Sequence, residues 1–343
     1  MLCSLCDTSI RMSGTTPAVQ VERLAPTPFK PYSGCGCVSM GENRAFLIGN
    51  NNASEEDWCY IATLTKEGSE RSLSMEPLKV PFDRLDGCSA VRVGAAVYIY
   101  GDGPSSKGPQ YGTLRVYAID TGVWKEETRR GEQAWPEQQL NPCMVAISDH
   151  EFLLAGGEDE EETAHTWIYN THTKEWKECA EVASVFPHLW MFGACLTGGK
   201  VHFVGGQANN HISFTLPTEE EPKGKWSKHP NMPFESESAG MQDIGDNVSL
   251  VFGASLPVLE EVGVWGYDSV RDLWGSQGKL EQGPGFSPGE SYFERYSSCM
   301  LNGDTVLVVA DCGCDGEVYD GDTFLLTVDR EGVRVTCTET ATE

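Results

Sequence analysis

Six short hydrophobic runs punctuate the chain, and most of them close on glycine. They are NRAFLIG to Gly49, AAVYIYG to Gly101, EFLLAGG to Gly157, KVHFVGG to Gly206, VSLVFG to Gly253 and DTVLVVA to Ala310. Downstream of three of them a tyrosine and a tryptophan stand seven residues apart, as YAIDTGVW (Tyr117 to Trp124), YNTHTKEW (Tyr169 to Trp176) and YDSVRDLW (Tyr267 to Trp274). Trp226 falls into the same series. The step from one unit to the next is about fifty residues, a period that points to propeller blades when the repeating element is strand alone. Each unit predicts four strands: an inner one rich in small residues, the hydrophobic run, the tyrosine strand and the tryptophan strand. Gly, Asn and Asp between apolar runs, as in MGENRAFLI, LTGGKVHFV and LNGDTVLVV, supply the positive backbone angles of tight hairpins. No stretch sustains an apolar period near 3.6, so the expected fold is all-β.

The run closed by Gly156-Gly157 or Gly205-Gly206, followed by Tyr and Trp at fixed intervals, resembles the kelch repeat over residues 32 to 337. The first unit has no Trp after its third strand, the sixth has Val333 or Val335 near that place, and two units keep both glycines. What the resemblance implies is a six-bladed kelch-type β-propeller, four antiparallel strands per blade, that displays loops to a partner protein. Residues 1–16 lack pattern and are expected to be a disordered tail, with the propeller over 17–343 and blades near 32–80, 86–130, 140–182, 190–230, 239–280 and 296–343. Ring closure needs the chain ends to meet. VRVTCTE (Val333 to Glu339) and AVQVERL (Ala18 to Leu24) both read as candidates for the sealing outer strand.

Charge narrows the choice of partner. With 51 acidic residues against 25 basic ones the formal net charge is −26, which disfavours nucleic acid and anionic membranes, since phosphate contact needs clustered Lys and Arg. The acid gathers in SEED (Ser54 to Asp57), EDEEE (Glu158 to Glu162), EEE (Glu219 to Glu221) and the stretch from Asp311 to Asp322. Such loops keep a protein dispersed and can also steer a basic segment. A protein or peptide partner of basic character is therefore expected, bound by a monomer. The 13 cysteines lack framework spacing, the start lacks the pattern of a secretory signal, and no run is long enough to span a bilayer. Together these imply a cytoplasmic protein, with the nucleus as a second compartment.

The loops entering each inner strand carry the unusual residues. Phe29, Phe82, Phe186 and Phe234 recur beside proline and read as plugs at blade junctions. Tyr32, Arg84, Trp135, His188, Trp190 and Arg295 are demanded by nothing in the repeat and are the types that anchor interfaces, so they are the expected partner-binding residues. Cys88, Cys143, Cys195 and Cys299 read as small packers of the inner strands. Cys35, Cys37, Cys312 and Cys314 form two Cys-Gly-Cys pairs that ring closure brings near one another, the weaker reading being a zinc site. The acidic stretch at Asp311 is read as a solvated loop rather than a calcium site. The seven histidines show no helix pair and no ligand spacing, and no nucleophile elbow, phosphate loop or dinucleotide fingerprint appears. The expectation is a non-enzymatic, cofactor-free scaffold that binds a protein or peptide. The alternative is a small-molecule, sugar-like enzyme or binding protein that uses the mouth of the central channel.

Overall fold

The computed structural model describes residues 18–25, 27, 36–48, 58–68, 70–83, 85–102, 111–129, 132–137, 141–157, 165–182, 192–206, 209–234, 236, 239–254, 261–281, 292–314, 317–318 and 322–340. They build six antiparallel sheets, and consecutive strands pair in order within each of the first five. The innermost strands, Gly36–Gly41, Asp86–Val93, Cys143–Ala146, Phe192–Thr197, Ala239–Gly245 and Tyr292–Met300, each touch the next, and the sixth returns to the first. The result is a closed six-bladed propeller.

The tyrosine–tryptophan interval is a hairpin register. Tyr117 faces Trp124, Tyr169 faces Trp176 and Tyr267 faces Trp274 across the third and fourth strands, with Phe214 facing Trp226 in blade four. The turn between them needs one left-handed residue, and Gly122, Lys174 and Asp272 supply it five places after each tyrosine, with φ of 67°, 61° and 58°. Each aromatic pair packs against the second strand of the preceding blade: Phe46 meets Tyr117 at 5.5 Å, and Tyr100 meets Trp176 at 6.0 Å. The junctions that blades two and three make with the blade before them are therefore built from an aromatic pair on one side and second-strand residues on the other. Burying a side chain of this size contributes about 1.5–3 kcal/mol.

The glycine that ends the second strand of blade five makes room within its own blade. A Cβ on Gly253 would lie 2.5 Å from the Phe234 ring and 2.9 Å from Ser236 Oγ, so the missing side chain makes room for the loop entering the same blade. Phe234 is buried there and stacks on Trp265 at 5.4 Å, whereas Phe29 and Phe186 lie outside the described residues.

The N-terminal candidate seals the ring. Val19–Arg23 adds to Asp322–Val328 as the outermost strand of blade six, in register from Val19↔Val328 to Arg23↔Phe324. Across the seam, Arg71 of blade one donates to Glu22 Oε2 at 2.7 Å and to Thr327 Oγ1 at 2.9 Å. Arg23 pairs with the buried carboxylate of Asp322.

The C-terminal candidate is not a strand. Residues Arg330–Thr340 form an α-helix laid on the outer strands of blade five, burying Val333 and Cys337. Val/Thr alternation favours a strand, but the outer edge of blade six is already paired, and a helix satisfies its own backbone. Val333 and Cys337, four apart, then share one helical face. Gly266 of blade five admits them, because a Cβ there would sit 2.5 Å from Val333 and 3.1 Å from Cys337. The tail expected over residues 1–16 lies outside the described residues.

Candidate functional site

The inner strands of all six blades line a central cavity of about 180 Å³. Its walls are small or weakly polar, including Gly36, Ser89, Ala90, Gly193, Ala194 and Ser298, together with the thiols of Cys37, Cys88 and Cys143. Among the described residues no His, Asp, Glu, Lys or Arg converges there. Burial pushes the Cys143 thiol up to about 12, and the backbone carbonyl of Phe192 accepts its proton at 3.1 Å. That thiol is protonated and packed rather than poised as a nucleophile.

The expected partner-binding residues separate. Tyr32, Arg84, His188 and Trp190 lie outside the described residues, and Arg295 is described only as a position on the inner strand Tyr292–Met300 of blade six. Trp135 is interior: 6% exposed, it donates from Nε1 to the Gly112 carbonyl at 2.8 Å and packs edge-to-face on Trp176. Its loop folds inward to cover the junction of blades two and three, so Trp135 is a packing residue and not a surface anchor. Of the Cys-Gly-Cys residues, Cys35 lies outside the described set, and Cys312 and Cys314 are placed by backbone on the strand Thr305–Cys314. Cys37 sits beside Cys299, with their sulfurs 3.3 Å apart across the seam.

Three histidines that show no ligand spacing in the sequence come together in space. His202 lies on the second strand of blade four (Lys200–Gly205), His211 on the third (Asn210–Thr215), and His229 follows the fourth (Lys225–Lys228). His202 faces Ser213, two places from His211, and the His229 N–H donates to the His211 carbonyl at 3.0 Å. All three rings therefore stand on the face that meets blade five. One nitrogen from each lies within 4.8 Å of the other two. His202 Nδ1 and His211 Nε2 are 2.9 Å apart, and the His211 and His229 rings stack at 4.5 Å.

Blade five closes the cluster. His229 Nδ1 lies 3.3 Å from the Asp272 carboxylate, its Nε2 lies 2.8 Å from Ser213 Oγ, and the Tyr267 hydroxyl donates to Asp272 Oδ1 at 2.8 Å. The left-handed turn carrying Asp272 aims its carboxylate between the two rings. His202 and His211 are buried, and burial with the neighbouring imidazoles pushes both down to about 3, so both are neutral at pH 7. His211 Nδ1 has no well-aligned partner, and a weak backbone interaction with Pro230 offsets only part of the burial cost. Burial and the Asp272 carboxylate raise the Tyr267 pKa well above its ordinary value.

A signal in the sequence does find this cluster once the blades are aligned on their closing residue. Where blade four has His202, the other blades have Phe46, Tyr98, Leu153, Leu250 and Leu307. Where it has His211 they have Cys59, Leu114, Thr166, Val264 and Thr323, and His229 takes the place of Leu78 and Cys179.

No family model matches the chain. Kelch-like protein 41b of Danio rerio is 26% identical over 147 residues, 41% of this chain and 24% of that protein. The matched region thus spans about a quarter of the relative's length. That match, the six four-stranded blades and the Tyr–Trp junctions together support one reading. The chain is a kelch-repeat β-propeller. The solved structure of YjhT superposes with a TM-score of 0.60 over 90% of this chain and 97% of that one, and at 12% identity shows the fold alone.

Proposed function

We propose that this kelch propeller is a protein- or peptide-binding scaffold that presents its loop-rich face to a partner of basic character. The observation that carries this reading is the channel lining: the mouth of a small-molecule enzyme needs convergent acid–base groups, and the described lining is mostly glycine, alanine, serine, cysteine and methionine, with Asn141, Phe192 and Tyr296 but no described His, Asp, Glu, Lys or Arg. The kelch-like relative supports the same reading. Tyr32, Arg84, His188, Trp190 and Arg295 remain the proposed contact residues, on the entering loops and the start of the last inner strand. No helix among the described residues is long and apolar enough to cross a membrane.

Affinity capture from the source cell, quantified by mass spectrometry, tests the reading with the wild-type chain beside Trp190→Ala/Arg295→Ala. The expected result is a defined set of proteins that the double variant loses while its melting temperature holds. Capture of the same set by both proteins would remove these residues from the site. Saturable turnover of a small molecule at the channel would replace the scaffold reading altogether.

A further inference from the structure

The histidine cluster between blades four and five has no part in the scaffold reading, and the fold does not require it. Five other blades fill the His202 position with Phe, Tyr or Leu. An apolar side chain fits this junction without desolvation cost, whereas each buried imidazole must recover the loss of its water. The two buried rings recover only part of it: His202 Nδ1 and His211 Nε2 pair with each other, and His211 Nδ1 has a backbone interaction with Pro230 but no well-aligned partner. At one position on the second strand, one on the third and one just after the fourth, this blade carries a histidine where the other blades carry apolar residues or, in two cases, threonine.

We propose that His202, His211 and His229 form a binding site for a divalent zinc-type metal ion, with Asp272 and Tyr267 of blade five supporting the His229 ligand from outside. Three imidazole nitrogens with a fourth position open is a donor set suited to Zn²⁺. Tetrahedral bonds of about 2.0–2.1 Å place ligand nitrogens about 3.3 Å apart, so the 2.9 Å pair opens slightly and the 4.8 Å limit closes by rotation of His229. The carboxylate on His229 Nδ1 fixes the tautomer and leaves Nε2, now 2.8 Å from the Ser213 hydroxyl, as the nitrogen a metal would take from that hydroxyl, the arrangement by which an outer carboxylate holds a metal-bound histidine. The edge at His229 and Asp272, 14% and 37% exposed, gives the ion a way in. All ligands belong to blade four and their support to blade five, so occupancy couples the two blades.

The test uses the full chain stripped with a chelator and titrated with Zn²⁺ by calorimetry, with Co²⁺ absorption as a report on geometry. One equivalent of Zn²⁺, tetrahedral Co²⁺ bands and a raised melting temperature are expected. His202→Phe and His229→Leu, which restore the residues of Phe46 and Leu78, should fold and lose the site. Asp272→Asn should bind about 10–100-fold more weakly. His172→Ala, which dismantles the surface pair that His172 makes with His150, ring centres 5.1 Å apart, should bind as the wild type does. No binding by the wild type overturns the proposal, as does undiminished binding by both His202→Phe and His229→Leu or loss of binding in His172→Ala alone. Because the scaffold test reads protein capture and this one reads metal binding, either can fail without the other.

Discussion

Trp135 and Trp176 meet with ring centres 6.0 Å apart at 70°, and Tyr100 and Phe152 complete the contact between blades two and three. Truncating either tryptophan to Ala is expected to cost about 3–5 kcal/mol through the cavity left behind, read from denaturant unfolding. A loss under 1 kcal/mol for Trp135→Ala would return that residue to the surface. The two tryptophans differ in how the sequence announces them. Trp176 sits seven residues from Tyr169 because one hairpin turn puts them opposite each other, and a local register prints itself as a fixed interval. Trp135 is unique among the blades, and uniqueness reads equally as an interface anchor or as a one-off plug; only the inward path of its loop decides. The histidines were hidden for a related reason. His202, His211 and His229 stand on three strands, so no interval between them has meaning until the pairing register is known.

At the level of elements, the two chain ends do different work. Val19–Arg23 completes blade six by main-chain pairing, and Arg71 ties it to blade one. The helix Arg330–Thr340 adds no pairing: Arg334 reaches the Asp246 carbonyl at 2.9 Å, Arg330 donates to the Gly303 carbonyl at 2.5 Å, and Val333 and Cys337 cover the junction of blades five and six. Deleting residues 1–24 should therefore expose the Asp322–Val328 edge to amide exchange and lower the melting temperature sharply, since an open ring loses cooperativity. Deleting residues 1–17 should do neither. Val333→Ala should cost about 1–3 kcal/mol while leaving exchange at that edge unchanged. Equal exchange in the 1–24 and 1–17 deletions would mean that the seal lies elsewhere. The sequence offered both ends as strands because valine alternating with polar residues looks alike in each; the choice between them belongs to whichever segment pairs with Asp322–Val328.

Across the whole molecule, the six-unit period was legible because every blade presents an apolar second strand, and blades two to five an aromatic pair, to their neighbours. The loops carry the remaining information, and they carry charge. With a formal net charge of −26, association with a basic partner should slow as salt shortens the screening length to about 10 Å at 0.1 M and about 8 Å at 0.15 M. Stopped-flow association rates at several ionic strengths check this, and a rate indifferent to salt would leave the acid as a solubility device.

The seal at blade six also sets an order of events during synthesis. Arg23 leaves the ribosome 299 residues before the Asp322 it will pair with, a delay of about 15–60 s at roughly 5–20 residues per second. Through that interval five blades can form in sequence while the earliest strand waits without its partner. The nascent chain must hold an unpaired strand clear of five growing sheets, and the step that closes the ring joins the first strand of the propeller to its last blade.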